Sequence, residues 1–298
     1  MDKPEPSRTA LGAASHRAAH QILDKPVVFA DPLAIRILGE AGAEALERRL
    51  EPEEAQAWRR MRAFIAARSR FTEEALAAAM RNGTSQFVIL GAGLDTFAYR
   101  NPDGERLAVF EVDHPATQAF KRAQLAAAGI DVPASLAFVP VDFQCQSVIA
   151  ALRSAGFRRE DPALFSWLGV TMYLDRATIL DTFASIASGA APGTALVFDY
   201  VRPPASVRDA AIRARYEAFA ERLAAIGEPW RSFFDPDELD AALRRAGFAE
   251  VKDWDGAALN ARYFTGRTDG LEVGTTAHLI EARVLTVRRA ERSEAHHC

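Results

Sequence analysis

Short apolar runs alternate with helical segments through the middle of the chain. The first run, at 87–90, reads Phe-Val-Ile-Leu and ends in glycine. Continuous apolar runs of this length are typical of strands buried on both faces of a sheet. The alternation therefore predicts a parallel, doubly wound α/β sheet. Its strands are expected at 87–90, 107–112, 136–140, 164–168 and 195–200, and its helices at 116–128, 148–155 and 176–187.

The two ends of the chain are mainly helical in pattern. After 200, helices are predicted at 207–226 and 235–246, the second opened by Asp235 and Pro236, and strands at 248–254 and 278–287. We expect a single domain. Its parts are a loose arm at 1–14, an N-terminal helical cover at 15–82, a cofactor-binding core at 83–200, a helical cap insertion at 201–249, final strands at 250–287 and a frayed tail at 288–298.

Composition excludes several classes of protein. The 298 residues are 49% apolar and carry 36 basic against 40 acidic side chains, so no broad basic surface for nucleic acid is expected. The longest nearly apolar run, 164–174, is short of the roughly 20 residues of a membrane span. Two distant cysteines, Cys145 and Cys298, suggest neither disulfides nor a metal cluster. We expect a cytoplasmic protein, monomeric or homodimeric, without a bound metal.

The strongest local motif follows the first strand, in Phe-Val-Ile-Leu-Gly-Ala-Gly-Leu-Asp at 87–95. Gly91 and Gly93 permit positive φ and let a ligand approach the backbone, and a helix is expected to follow. The third glycine of a dinucleotide fingerprint is replaced by Thr96, which disfavours a nicotinamide-dependent dehydrogenase.

Acidic residues end the next two strands. The second strand ends at Glu111-Val112-Asp113, 22 residues beyond Gly91, where one of the two carboxylates can accept hydrogen bonds from a ribose diol. At the third strand end, Asp142 and Phe143 suit an adenine, through its exocyclic amine and its ring. Together the three strand ends predict a site for an adenosine-containing cofactor.

In combination these motifs resemble the leucine carboxyl methyltransferase family, and more closely its bacterial branch of S-adenosylmethionine-dependent O-methyltransferases. The resemblance extends from about residue 10 to 287. The matching segments are 17–20, 31–32, 90–96, 110–115 with Lys121, 141–142, 167–174, 263–264, Arg267 and 269–271.

The resemblance implies a class I methyltransferase (Rossmann-like) fold, with a seven-stranded, mostly parallel sheet whose last strand is antiparallel. It also implies S-adenosyl-L-methionine as the cofactor. Gly91 and Gly93 would approach the methionine part, with Asp95 in the same loop. Asp113 would hold the ribose, with Glu111 as its neighbour. The other cofactor positions are Asp142 and Phe143 at the adenine and Arg68 at the cofactor carboxylate.

One position departs from the family pattern. Leu168 stands where relatives that methylate protein C-termini carry an acidic residue for the cofactor's ammonium group. This replacement weakens the case for a protein substrate, so the leading hypothesis is O-methylation of a small organic acid or phenol. Carboxyl methylation of a protein or peptide, and a non-catalytic cofactor-binding protein, remain as alternatives.

Candidate residues for the acceptor depend on its chemistry. A carboxylate needs a cation to position it, and Arg202 or Arg267 could serve. A phenol or alcohol needs a base near neutral pKa, such as His20 or His114. Two further candidates for the pocket wall end the fourth and fifth strands, namely Tyr173 and Tyr200.

Overall fold

A seven-stranded sheet forms the centre of the protein. The computed structural model describes residues 8–143 and 145–284, and its sheet order is β3-β2-β1-β4-β5-β7-β6. Only β7 runs antiparallel to its neighbours β5 and β6. The strands are β1 Gln86–Leu90, β2 Ala108–Asp113, β3 Leu136–Pro140, β4 Ala163–Trp167, β5 Ala195–Val201, β6 Glu250–Trp254 and β7 Ala277–Arg283. This is the class I, Rossmann-like sheet that the sequence predicts.

Helices cover both faces of the sheet. They are α1 Arg8–Leu23, α2 Gly39–Leu50, α3 Pro52–Ala57, α4 Arg59–Arg81, α5 Pro115–Ala127, α6 Val148–Ser154, α7 Arg176–Gly189, α8 Ala210–Ala225, α9 Pro236–Ala246 and α10 Gly256–Tyr263. Apolar side chains of α6, α7 and α9 share one core with the strands, and those of α4 and α10 share the other. No helix within the described residues is both long and apolar enough to cross a membrane.

The order of the strands reverses beside β1. The chain moves outward from β1 through β2 to β3 and then returns to β4 on the other side of β1. In open parallel sheets, such a reversal leaves a crevice beyond the carboxyl ends of the strands, where ligands bind. The cofactor motifs lie at this crevice.

Three local features differ from the sequence-based expectation. Helix α1 begins at Arg8, so the part of the predicted arm that lies within the described residues is helical, while 1–7 lie outside them. No α-helix follows β1, since only two 3₁₀ turns, Phe97–Tyr99 and Gly104–Arg106, stand between the glycine loop and β2. Helix α10 has no counterpart in the predicted elements.

The segment expected to form a cap divides into two parts. Helix α8 packs with Met172 and Val201 in a small apolar cluster near the end of β5. Helix α9 contributes Leu239 and Leu243 to the main core. Its bounds follow local chemistry: the Asp235 side chain accepts from the amide of Asp237, Pro236 occupies the first turn and Gly247 ends the helix with φ +115°. Within 201–249, the cap position therefore belongs to the α8 region.

Candidate active site

A cavity of about 400 Å³ lies beyond the carboxyl ends of β1, β2, β3 and β4, and we call it the strand-end cavity. Residues of helices α1 and α4 also line it. Of the predicted cofactor residues, eight line it: Arg68, Gly91, Gly93, Asp95, Asp113, Asp142, Phe143 and Leu168.

The glycine loop needs its glycines for conformation and for space. Gly91 has φ +67° and Gly93 has φ +47°, both in the left-handed region that disfavours other residues. A Cβ on Gly91 would lie 2.3 Å from Cγ2 of Val170, a contact that forces a shift. The loop is therefore fixed against the segment that follows β4.

Asp113 connects this loop to the tip of β2. Its Oδ2 accepts a hydrogen bond from the Gly93 amide at 2.6 Å, and its Oδ1 accepts from the His114 amide at 2.7 Å. Burial raises the pKa of the Asp113 carboxyl, while these amide hydrogen bonds oppose the rise. The side chain remains at the cavity wall, where a diol can reach its free lone pairs.

Glu111 does not reach the cavity, which corrects the prediction that it contacts the cofactor. It lies two residues before Asp113 on β2 and is 1% exposed. Its Oε2 pairs with Nζ of Lys121 at 2.6 Å and accepts a hydrogen bond from the Tyr99 hydroxyl at 3.2 Å. Because Glu111 is buried away from water, its carboxylate is stabilised by a buried cation, Lys121. Burial raises the pKa of Glu111 to about 7.

The adenine side of the cavity is formed after β3. Asp142 and Phe143 both line it, and the Phe143 ring stacks on Trp167 with centroids 6.1 Å apart and an interplanar angle of 21°. Asp95 lies on the other side, where its Oδ1 accepts from the Phe97 amide at 2.8 Å and caps the 3₁₀ turn. An aromatic face and carboxylates are thus available to a nucleoside.

Arg68 reaches the cavity from α4 and is held by an aspartate that the sequence analysis did not single out. Its Nη1 donates to Oδ2 of Asp199 at 2.6 Å, and the Gly169 amide donates to the other carboxylate oxygen at 2.5 Å. Asp199 is 1% exposed on β5. The pair orients the guanidinium toward the cavity, where a cofactor carboxylate would meet it.

Leu168 lines the cavity with an apolar side chain and offers nothing to an ammonium group. The strand register pairs Trp167 with Phe198, so Leu168 and Asp199 occupy the next rung of neighbouring strands. The acidic residue at this level therefore stands on β5 in this chain, where it binds Arg68.

A second cavity, of about 240 Å³, adjoins the first, and we call it the aromatic cavity. Its walls come from α1, α2, α4, α8, the end of β5 and the segments after β4 and before α9. Seven side chains with aromatic rings line these walls: His16, Trp58, Phe64, Tyr173, Tyr216, Phe219 and Trp230. The two cavities share six lining residues, Thr9, Ala13, Ile65, Arg68, Gly169 and Tyr173, so they lie next to each other.

Two of the six predicted acceptor residues, Tyr173 and His114, line these cavities. Tyr173 lines both, and burial raises the pKa of its phenol. Tyr200 points to the opposite face of β5, where its hydroxyl donates to Asp253 at 2.9 Å. The side chain of Arg202 lies outside both cavities. The predictions for Tyr200 and Arg202 are therefore wrong in placement.

His20 is also misplaced by the prediction. Its Nδ1 bonds Asp24 at 2.8 Å, and its Nε2 accepts from the amides of Val28 and Phe29 at 2.9 and 3.2 Å. Both ring nitrogens are thus used to hold the segment after α1, and the ring lines neither cavity. His16, one turn earlier on α1, occupies the aromatic cavity instead.

The other candidates are positioned as follows. His114 lines the strand-end cavity and caps α5, since its Nδ1 accepts from the Ala116 amide at 3.2 Å. Arg267 pairs with Asp269 at 2.7 Å, away from both cavities. Across 8–143 and 145–284 no three potential ligand side chains are grouped for a metal ion. The tail at 288–298, predicted to be frayed, lies outside the described residues.

The strand-end cavity fits an adenosyl amino acid better than a dinucleotide. A pyrophosphate needs amide donors at a helix N-terminus, and the loop after β1 leads into no α-helix. Instead, the cavity offers a carboxylate at the β2 tip, a stacked ring after β3 and a guanidinium from α4. These groups match a ribose diol, an adenine and an amino-acid carboxylate.

Comparison with known proteins agrees with this geometry. A model of the leucine carboxyl methyltransferase family matches residues 10–187. A Bacillus subtilis (strain 168) relative, named "Putative S-adenosyl-L-methionine-dependent methyltransferase YktD", is 33% identical, over 95% of this chain and 99% of its own.

Solved structures share the fold. A DUF574 family protein from Streptomyces avermitilis superposes with a TM-score of 0.56 at 17% identity, covering 91% of this chain and 96% of its own. The S-adenosylmethionine-dependent methyltransferase SibL superposes with a TM-score of 0.50 at 14% identity, covering 92% of this chain and 70% of its own. The chain therefore belongs to the leucine carboxyl methyltransferase family and is an S-adenosylmethionine-dependent methyltransferase.

Proposed function

We propose that the chain methylates an oxygen atom of a small organic metabolite. The observation that carries this proposal is the wall common to the two cavities. Arg68, Gly169 and Tyr173 border both, so a methyl donor in the strand-end cavity and an acceptor in the aromatic cavity would meet at these residues.

When bound, the cofactor supplies a sulfonium-activated methyl group, and transfer is an in-line displacement. The chain's own residues then need only hold the partners in line and exclude water. Arg68, fixed by Asp199, would position the donor's carboxylate. Tyr173 and the rings of the aromatic cavity would align the acceptor and keep water out.

Charge favours oxygen over nitrogen as the acceptor atom. Arg49 and Arg68 both line the aromatic cavity, and the carboxylate that lines it, Asp199, is already engaged by Arg68. A protonated amine would meet two guanidinium groups there. A neutral hydroxyl or an anionic oxygen would not be repelled.

Cavity size favours a small acceptor over a protein tail. About 240 Å³ suits a molecule of one or two rings, and its walls are mostly apolar. Leu168 also lacks the carboxylate of relatives that methylate protein C-termini. Carboxyl methylation of a peptide is thus the second candidate function, and a peptide is included among the acceptors tested.

The test is transfer of labelled methyl from S-adenosylmethionine to a panel of phenols, carboxylic acids, amines and a peptide ending in leucine. We expect product from a phenol or small acid. The Tyr173→Ala variant should lower kcat/KM on the order of 10-fold or more, because the acceptor loses alignment. Tyr200→Phe, a tyrosine outside both cavities, is the control and should change kcat/KM little.

Methylation of amines or of the peptide alone would contradict the proposal. Intact S-adenosylhomocysteine binding with no product across the panel would favour a non-catalytic binding protein. Equal losses in the Tyr173→Ala and Tyr200→Phe variants would show that the aromatic cavity does not hold the acceptor.

A further inference from the structure

One buried polar atom, on a side chain that lines the aromatic cavity, has no role in the cofactor site. Nδ1 of His16 is inaccessible to solvent and has no hydrogen-bond partner among the described residues. The His16 side chain lines the aromatic cavity but not the strand-end cavity, and the residue is only 5% exposed. A buried polar atom without a partner costs folding free energy, so a ligand that supplies the partner is favoured.

The imidazole of His16 is neutral at physiological pH. Burial lowers its pKa well below the usual value, and the guanidinium groups of Arg49, Arg62 and Arg68 lower it further. A neutral imidazole carries one donor and one acceptor nitrogen. A hydroxyl both donates and accepts, so it satisfies Nδ1 in either tautomer.

The surroundings of His16 select for a flat ring. The His16 ring lies against Trp58 with centroids 5.6 Å apart, and Phe219 packs edge-on to both Trp58 and Trp230 at 5.1 and 5.2 Å. Tyr216 adds a further ring 5.2 Å from Trp230. Aromatic ligands gain most from such walls, through apolar burial and ring contacts.

A second unpartnered group lies on the same wall. Nε of Arg49 is buried without a partner within the described part of the chain, and the guanidinium stacks over the Trp58 ring at 5.1 Å. Arg49 Nη1 is occupied by Glu54 at 3.1 Å. Trp58 thus has both His16 and Arg49 against it, which places an imidazole and a guanidinium donor at one end of a ring-lined cavity.

We propose that the aromatic cavity binds a neutral aromatic hydroxyl compound whose hydroxyl exchanges a hydrogen bond with Nδ1 of His16, once a turn of the imidazole ring brings that buried atom to the cavity surface. The proposal rests on the proposed function and names the acceptor class for the same site. His16 is a specificity-determining residue in this account, one helical turn from Ala13, which borders both cavities. A carboxylate can only accept, so it pairs Nδ1 in one tautomer alone, and an unsubstituted ring leaves Nδ1 unpaired.

The test compares the binding of 2-naphthol, naphthalene and 2-naphthoate to the full chain by calorimetry or fluorescence titration. Each probe is measured with and without S-adenosylhomocysteine, whose own binding is recorded first. We expect 2-naphthol to bind about 10-fold or more tightly than naphthalene, because only the hydroxyl pairs the buried imidazole. It should also bind more tightly than 2-naphthoate.

Variants separate recognition from packing. His16→Phe should remove the preference for 2-naphthol over naphthalene, while His16→Gln, which keeps a polar partner, should retain part of it. Trp58→Leu is the matched control in the same cavity, and it should weaken the binding of 2-naphthol and of naphthalene by the same factor. The melting temperature of each variant shows that it folds.

Equal affinity for 2-naphthol and naphthalene in the unaltered protein would overturn the inference. So would tighter binding of 2-naphthoate, or an unchanged preference in His16→Phe. Failure of S-adenosylhomocysteine to bind would instead refute the proposed function, and the probe ratios in its absence would still decide the role of His16.

Discussion

Asp113 links the glycine loop to the ribose position, so its loss should lower both cofactor affinity and folding stability. Asp113→Ala removes the acceptor of the Gly93 amide and a carboxylate from the cavity wall. We expect S-adenosylhomocysteine affinity to fall about 10- to 100-fold, as for loss of charge-assisted hydrogen bonds. Calorimetric titration measures this. Asp131→Ala, an exposed position outside both cavities, is the control.

Unchanged S-adenosylhomocysteine affinity in a folded Asp113→Ala protein would contradict the assignment of Asp113 to the ribose position. A comparable loss in Asp131→Ala would show that the effect is not local. The melting temperatures of the two variants distinguish a binding defect from a folding defect.

Glu111 gives the stability a pH dependence of definite sign. Burial raises its folded pKa to about 7 from an ordinary value of 4.5. Between these values the folded chain retains a proton that the unfolded chain has released. The contribution of Glu111 to the free energy of unfolding is therefore greatest below about pH 4.5 and is lost as the pH rises toward 7.

The double variant Glu111→Gln/Lys121→Met tests this dependence, because it removes both charges of the buried pair. Denaturant unfolding at several pH values should give a less negative slope of unfolding free energy between about pH 5 and 7 than in the parent chain. An identical slope in the two proteins would contradict the buried, proton-retaining Glu111.

At the residue scale, the sequence located the strand ends but not which side chains turn inward. Asp199 and Tyr200 are adjacent in an apolar strand, and the alternation of side chains puts them on opposite faces. Both faces of β5 are buried, so the pattern gave no sign that Asp199 faces Arg68. His16 and His20 share a helix face, and tertiary packing decides that only His16 enters the cavity.

The loop after β1 is the element on which the site depends most. Gly91→Ala introduces both a positive-φ penalty and a clash with Val170. Gly129→Ala is the matched control, since Gly129 has φ +60° but nothing within 4 Å of the added Cβ. We expect the control to lose about 1 kcal/mol of stability or slightly more, and Gly91→Ala to lose more than that.

Gly91→Ala should also weaken S-adenosylhomocysteine binding, whereas Gly129→Ala should leave it unchanged. Thermal unfolding and calorimetry on both variants check this pair of outcomes. Equal stability losses, with binding intact in both, would contradict a loop fixed by the segment after β4.

Element by element, the apolar runs located all seven strands to within a few residues. Short runs bounded by glycine and proline are hard to mistake for helices in this context. The start of α1 was missed because its first turns are short on large apolar residues, and a helix was expected after β1 because glycine loops usually lead into one. Only the structure shows a 3₁₀ turn there.

At the scale of the whole molecule, the sheet's reversal beside β1 and the helices α1, α4 and α8 create two adjacent cavities with different chemistry. The fold class followed from the alternation of strands and helices, and the cofactor class from motifs at three strand ends. The aromatic cavity could not be predicted, because its walls come from segments far apart in sequence and carry no common motif.

The most direct test of the account is calorimetric titration of the purified chain with S-adenosylhomocysteine, with NAD as the control ligand. The strand-end cavity predicts one site per chain with a dissociation constant in the micromolar range, and no binding of NAD, because no helix follows β1 to hold a pyrophosphate. Binding of NAD, or the absence of S-adenosylhomocysteine binding to the folded chain, would contradict it.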